Sequence, residues 1–446
     1  MSQPMPQTST TQLSRRNFKV GVINGAFWLL ARALTDPDTV LPAFAVALMG
    51  DNPIYVGLLV SLVSAGWFWP PLLMTTTMAT RRDRHVYYKV SAIIRLLSVV
   101  GLWAAARYLA PERPALAFVA VSVSYLAFTS GGGIGLIPFM SVVTDSITAS
   151  RRGRFFAMRF FFGGLMAFGA GFWIRWLLSE DSGLAFPANY AYLFLVAAIV
   201  AAVSLVAWWV AWEPAHKIET RALPLRIQLL RGLRRLRRLP VFRRLVGTRL
   251  MMSASYGLVV PFLIPYAYEN LGMVEAMVGV ALASRVLCYS MFNILWSRVS
   301  SRYGNRMLLI TSGVLHLLAI LMALMTPLLP PVQTGQLLGL EFSLPLIVLM
   351  IIFGALGAAD SGQQTGQSAY LLEYAPERTR PVYLATYYLL ALPVSFMPLA
   401  TALLIGQAGR YSLVFGLGLL AAAINVVLYT RLVRLDGDEA TEAPSS

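Results

Sequence analysis

VSSRYGNRMLLITSGVLHLL, residues 299–318, sets a short basic turn directly against an apolar run. An echo of it lies in the first half of the chain: MATRRDRHVYYKVSAIIRLL, residues 78–97. At an offset of 221, Ser91, Leu96 and Leu97 align with Ser312, Leu317 and Leu318, Arg81 falls on Arg302, and Arg95 on His316. The echo extends outward in both directions. Val40-Leu41-Pro42 lies against Val259-Val260-Pro261 at offset 219, Gly57 against Gly279 at 222, and the Arg152-Gly153-Arg154 cluster against Arg378-Thr379-Arg380 at 226. Each match alone is weak; four in chain order at nearly one offset predict two like halves.

Those halves are built for lipid. The 446 residues are 57% hydrophobic and only 13% charged, about half the charged fraction of a soluble domain. Mean hydropathy is +0.66. About twelve apolar segments are long enough to span a bilayer, near 20–49, 54–79, 88–109, 115–144, 155–178, 189–213, 242–268, 273–296, 306–329, 343–372, 381–406 and 410–434. The first runs too long for a signal peptide and no small-residue cleavage site follows it, so it is expected to remain as a span. The fold class predicted is an all-α integral membrane protein with 12 transmembrane helices in two pseudo-symmetric six-helix bundles. The expected domains are a tail (1–18), a first bundle (19–213), a connector (214–241), a second bundle (242–434) and an acidic, disordered tail (435–446).

The net charge of +16 suggests a polyanion partner until the basic residues are placed. With the loops assigned alternately to two sides, 29 of the 36 Lys+Arg fall on the side of both termini, 4 on the other and 3 within spans. Basic loops stay cytoplasmic, so both termini are expected inside, in a bacterial inner membrane. The densest run, Lys217–Arg249, places Leu225, Leu229, Leu233, Leu236 and Leu239 on one helical face and Arg231, Arg234, Arg235, Arg237 and Arg238 around it. It reads as an amphipathic helix on the cytoplasmic leaflet, with membrane lipids as partners. Nucleic-acid binding is set aside, because no aromatic-studded polar domain accompanies the arginines.

Twelve spans, a six-plus-six repeat, a long basic central loop, and short basic loops after the second, fourth, eighth and tenth spans resemble the major facilitator superfamily. The likeness covers about residues 15–435. That family carries Gly-x-x-x-Asp-Arg-x-Gly-Arg/Lys-Arg after the second and eighth spans. The second copy here keeps Arg302, Gly304 and Arg306, but has Ser297 and Ser301 at the Gly and Asp positions. The first keeps Arg81 and Arg84, with Thr76 and Thr80 at those positions and Asp83 at the second Gly. The resemblance implies a secondary transporter whose first, fourth, seventh and tenth helices line a central path. It also implies cytoplasmic gate pairs from Asp145 with Arg152 and Arg154, from Glu373 with Arg378 and Arg380, and from the Arg302, Gly304 and Arg306 turn. Many exporters of the family carry a Gly-Pro-containing motif in the fifth span; here Gly163, Gly164, Gly169 and Gly171 come without a proline.

Charges inside spans are costly and mark candidate sites. Arg32 and Asp36 stand i, i+4 around the break at Pro37, with Asp38 beyond it. They read either as a proton- or substrate-linked cluster or as an ion pair that stabilises a kink. In the tenth span Gly357, Asp360, Gln364 and Gln367 recur at helical spacing and are expected to line a cavity. Thr129, Ser130 and the glycines 131–133 in the fourth span, and Ser253, Ser255 and Tyr256 in the seventh, are further candidates. Arg285 needs an acidic partner, Asp360 or Asp36. Arg95 and Arg159 are expected to snorkel to the interface, whereas His316 is too short for that. The only cysteine, Cys288, excludes an intramolecular disulfide. With no Walker loop, no metal-ligand spacing and no room for a catalytic domain, an enzyme is not expected, nor a cofactor. The reading is a monomeric, proton-coupled carrier of a small solute. Drug/proton efflux is one alternative, and a non-transporting membrane receptor or scaffold another.

Overall fold

The computed structural model describes residues 7–70, 74, 85–213, 225–337, 340–376, 380–408 and 411–434. The expected tail 435–446, most of the first motif copy (Thr76, Thr80, Arg81, Asp83, Arg84) and Arg378 lie outside the described residues. In chain order the helices are α1 Gln7–Leu34, α2 Val40–Met49, α3 Pro53–Phe68, α4 His85–Ala104, α5 Pro114–Ser146, α6 Ala149–Leu177, α7 Ala188–Trp209 and α8 Leu225–Arg238. They continue as α9 Pro240–Val259, α10 Leu263–Leu271, α11 Met277–Met325, α12 Leu344–Tyr374, α13 Arg380–Ala391, α14 Met397–Ala408 and α15 Tyr411–Thr430.

Nine helical segments are long and apolar enough to cross a membrane among the described residues. One of them, Met277–Leu328, has 52 residues. At 1.5 Å per residue that is about 78 Å, more than twice a bilayer's hydrocarbon thickness. It cannot be one span. The break falls at Gly304, with φ 79° and ψ 164°, a backbone region that only glycine enters readily. Counted as two, and joined by α1–α2 and α3, these segments give twelve spans. The first, seventh and eleventh spans are each broken: at residues 35–39, at the short turn Val260–Phe262 around Pro261, and at Pro393–Phe396. Proline removes a donor at each break, and membrane helices accept this where neighbouring groups satisfy the freed backbone.

Apolar side chains are exposed in stripes rather than singly. On α15, Leu413, Leu417, Leu420, Ile424 and Val427 are all exposed at helical spacing; on α5, Leu116, Val119 and Val123 repeat this. Water would not tolerate such faces, and the protein is an integral multi-pass membrane protein.

The chain divides into two compact units. Unit 1 holds residues 1–35, 66–170 and 184–223. Its core packs Phe18, Tyr88, Val142, Phe155 and Trp208, with ring centroids 5.6 Å apart for Phe18 and Phe155 and 4.9 Å for Phe139 and Trp208. Unit 2 holds 36–65, 171–183 and 224–446. Its core includes Phe242, Leu309, Tyr370, Tyr383, Tyr387 and Tyr429. Within unit 2 the segments from the first half of the sequence pack at glycines. A Cβ on Gly57 would stand 2.6 Å from Pro398 O and Ala402 Cβ, and one on Gly171 would stand 2.6 Å from Gly279 O. Ser61 Oγ accepts a hydrogen bond from Leu399 N at 3.0 Å.

Two features differ from expectation. The stretch between the ninth and tenth spans forms an antiparallel hairpin, β1 Gln333–Leu337 with β2 Leu340–Ser343. Helix α8 forms within the connector, but it docks on protein as well as presenting a face outward. Leu236 and Leu239 join the unit 2 core, Arg235 lies 4.9 Å from the Tyr383 ring, and Gly232 abuts Thr386. Ile227, Leu230 and Leu233 stay exposed.

Because Gly304 alone sets the turn inside α11, Gly304→Ala should destabilise the purified protein by about 1–3 kcal/mol. Gly416, with open space around it, should tolerate the same substitution. Thermal melts of both variants in one detergent check this.

Candidate functional site

The break after α1 is made by the Thr35-Asp36-Pro37-Asp38-Thr39 sequence. Asp36 Oδ1 accepts hydrogen bonds from Asp38 N at 3.0 Å and Thr39 Oγ1 at 2.9 Å, and its carbonyl accepts from Leu41 N at 2.9 Å. An Asx-type turn thus restarts the chain as α2. Asp36 thus holds the backbone of the kink, and it also acts electrostatically on Arg285. Its neighbour Asp38 is turned into unit 2, 2% exposed.

There Asp38 Oδ2 forms an ion pair with Arg285 Nη1 and accepts a short hydrogen bond from the Tyr256 hydroxyl. Arg285 Nη2 donates to the same hydroxyl at 2.8 Å and lies 3.6 Å from Asp360 Oδ2. Asp360 Oδ1 accepts from Gln364 Nε2 at 2.9 Å. Arg285 and Asp360 are 5% and 7% exposed. Helix contact sets this geometry. A Cβ on Gly357 would run into the Arg285 carbonyl, so α11 and α12 touch at that level. Ser284 Oγ to Met350 O at 2.7 Å and Trp296 Nε1 to Ala358 O at 2.8 Å pin the pair above and below.

One guanidinium, always protonated, faces two carboxylates. With both carboxylates ionised these three charged side chains carry one net negative charge, and Asp36 adds its own field at Arg285. Of the partners expected for Arg285, Asp360 lies 3.6 Å away and Asp36 acts on it electrostatically, while Asp38, which was not among those expected, makes the direct ion pair. Gln364, expected on the cavity stripe, is exposed although its amide reaches Asp360.

Gln367 belongs to a second polar network in unit 2. Its Oε1 accepts from Tyr387 OH at 2.5 Å and from Arg249 Nη1 at 3.3 Å, and its Nε2 donates to Tyr429 OH at 3.0 Å. Tyr429 OH in turn donates to Gln363 Oε1 at 3.1 Å. Sequence reasoning missed Arg249, Gln363, Tyr387 and Tyr429. Gln363 was legible in the polar run of α12; tyrosines near span ends read first as interface anchors.

The other candidates differ in their surroundings. Arg32, half-buried, ends α1 in unit 1. Arg152 donates to the carbonyls of Ile147 at 3.0 Å and Thr144 at 2.6 Å, Asp145 accepts from Ser141 at 3.3 Å, and Arg154 is exposed. In unit 2 Arg302 lies 5.3 Å from the Tyr303 ring and Arg306 donates to the Thr430 carbonyl. Glu373 accepts from Asn305 Nδ2 at 2.5 Å. Arg380 opens α13. Arg95 and Arg159 do not snorkel: Arg95 stacks 3.8 Å from the Trp28 ring, and Arg159 donates to Gly21 O and Asn24 Oδ1. His316 is buried against Ser255 at 3.1 Å.

Residues 245–445 match the sequence profile of the Major Facilitator Superfamily. Solved structures extend the likeness over the whole chain. The D-xylose–proton symporter superposes with a TM-score of 0.67 at 15% identity, covering 94% of this chain and 98% of its own. A bacterial homologue of the iron transporter ferroportin, inward-facing, gives 0.64 at 12%, covering 96% and 99%. A nucleoside transporter gives 0.60 at 13%, covering 94% and 98%. The second half of the chain thus carries this family's sequence pattern, and the chain as a whole shares the fold of these transporters. Among curated protein sequences none matches it. At these identities the solved structures speak for the major facilitator fold alone, so the site must be argued from its own residues.

Arg285 is shared by two carboxylates. Removing it strands both, while removing either carboxylate leaves a pair. Breaking a buried pair costs about 3–5 kcal/mol. Arg285→Gln should therefore melt below both Asp38→Asn and Asp360→Asn in thermal unfolding of the purified protein; the reverse order would contradict the shared pairing.

Proposed function

We propose that this protein is a proton-coupled secondary transporter that carries a small solute by alternating access. The observation that supports this reading best is the buried Asp38–Arg285–Asp360 cluster. Asp38 comes from the first half of the sequence and Arg285 and Asp360 from the second, so the pair ties the two repeats together at a broken helix. Isolated charge in lipid-embedded protein is expensive, and a purely structural tie would be neutral. This one carries an extra carboxylate. A proton on Asp360 leaves a one-to-one Asp38–Arg285 pair; loss of that proton lets Arg285 divide between two acids and loosens its hold on Asp38. Proton binding and the strength of the tie are therefore linked, which is what coupling requires.

In this scheme both termini are cytoplasmic, as the basic residues suggest, in a bacterial inner membrane. Two six-helix bundles, 19–213 and 242–434, rock about the site, with the connector 214–241 at the lipid surface. Ile227, Leu230 and Leu233 on α8 would enter the leaflet while Arg231, Arg234 and Arg238 meet anionic headgroups. The Gly304 turn, Asn305–Glu373 and the Arg152 carbonyl contacts serve as cytoplasmic gate elements. The protein works as a monomer.

The test is solute-induced proton movement in proteoliposomes loaded with a pH-sensitive dye, over a panel of sugars, nucleosides, organic acids, amino acids and cationic dyes. At least one solute should move protons with wild type, and Asp360→Asn should lower that rate about tenfold or more. A solute that binds tightly yet crosses under no gradient would favour the receptor or scaffold reading. Movement of cationic dyes out against protons would favour efflux.

A further inference from the structure

Unit 1 contains two arginines that the cluster above does not use. Arg95, on α4, is 6% exposed. Among the described residues it meets no carboxylate, and its Nε is sealed without a hydrogen-bond partner. Its guanidinium lies over the Trp28 ring at 3.8 Å and 5.7 Å from Phe128. Trp28 and Phe128 are themselves stacked at 5.4 Å. Arg159, on α6, donates to Gly21 O and to Asn24 Oδ1 at 3.1 Å, and lies 4.6 Å from the Phe139 ring. Asn24 Nδ2 also donates to Tyr88 OH at 3.2 Å, and both guanidinium groups act electrostatically on Tyr88. Asn24 and Trp28 are one turn apart on α1, about 6 Å, so two cationic centres are seated side by side.

The chain gives up side chains to seat them. A Cβ on Gly131 would stand 2.7 Å from Arg95 Cγ, and one on Gly25 would stand 2.5 Å from Arg159 Nε. Cation–π contact is worth about 2 kcal/mol when desolvated, against several kcal/mol to bury a charge. Packing alone does not balance two such groups. Stacking also occupies only the face of a guanidinium. Its N–H donors point outward in the ring-like plane, the geometry that matches a carboxylate or phosphate two bonds at a time.

We propose that Arg95 and Arg159, oriented by Trp28 and Asn24, form an anion-recognition site in unit 1 that takes the carboxylate or phosphate group of a solute. That this solute is the transported one rests on the transporter reading; the site itself is tested by binding, without flux.

Succinate and inorganic phosphate serve as probes, titrated against the protein in phosphatidylcholine nanodiscs and followed by melting temperature, with glucose as the neutral control. Both anions, and not glucose, should raise the melting temperature saturably by several degrees. Arg95→Gln and Arg159→Gln should each weaken the anion response at least tenfold in concentration, while Arg113→Gln, an exposed control, leaves it intact. Arg95→Lys, which keeps the charge but loses the fork, should retain part of the response and guards against a Gln variant that fails to fold. Repeating the titration in phosphatidylglycerol nanodiscs separates sources: if that lipid alone stabilises wild type and not Arg95→Gln, the anion bound is a lipid headgroup. Melting indifferent to anions in both lipids, or a shift that survives both Gln variants, overturns the proposal. Absence of flux for every solute in proteoliposomes, with anion binding intact, would instead count against the transporter reading alone.

Discussion

Arg285 is buried and a guanidinium cannot shed its charge, so the groups around it must be arranged to answer that charge. Asp38, Tyr256 and Asp360 do so from three different helical segments. Their convergence depends on two backbone devices. One is the Asx-type turn of Asp36, which lets the first span stop and restart so that Asp38 faces inward. The other is the absence of a side chain at Gly357, which brings α12 against the Arg285 carbonyl. A methyl group there would push the two helices apart and lengthen the 3.6 Å approach of Asp360 first.

The same economy recurs wherever polarity enters the apolar helices. Hydrogen-bonding groups exposed to lipid have no solvent to turn to, so each break in a span must be closed by protein. Thr35 Oγ1 returns to Ala31 O at 3.0 Å, and Tyr125 OH donates to Thr35 O at 2.6 Å; the residues at the break are the ones with short polar side chains. At Gly304 the solution is different. The chain enters a glycine-only conformation, and Asn305 and Arg306, the next two residues, fasten the turn to Glu373 and to the Thr430 carbonyl.

Much of this was legible in sequence because it is one-dimensional. Span count depends on apolar run length, and the two-fold repeat depends on offsets; neither requires a contact to be known. Gly304 could be read as a turn because a family motif places glycine there. What the sequence hid is pairing. Asp36 looked the better partner for a buried cation, being i, i+4 from Arg32; its carboxylate closes its own turn and acts on Arg285 through its field, while Asp38 makes the direct long-range contact. Arg95 and Arg159 looked able to snorkel because their distance along the helix allowed it. Direction around the helix decided otherwise, and direction is set by Trp28, Asn24 and two glycines on other segments. Arg249 was hidden for a further reason: it sits at the edge of a run of eleven basic residues, and only its contact with Gln367 separates it from them.

The charges of the two units differ in sign where they are buried. Unit 1 holds Arg95 and Arg159 without a carboxylate partner among its described residues, while the buried cluster of unit 2 has one carboxylate more than it has cations. An anionic solute would answer the first and a proton the second. Taken up together, a monoanion and a proton move no net charge, so such a cycle would be driven by the pH and solute gradients and not by the membrane potential, which acts at about 2.3 kcal/mol per charge per 100 mV. Answering charge at both sites before the spans rearrange would also lower the cost of dragging unpaired charge through lipid-embedded protein. Under the proposed coupling, completeness would matter more than the order of binding: a half-loaded protein would keep more uncompensated charge than a loaded one, and that charge would oppose the rearrangement that lets the solute or proton leak alone.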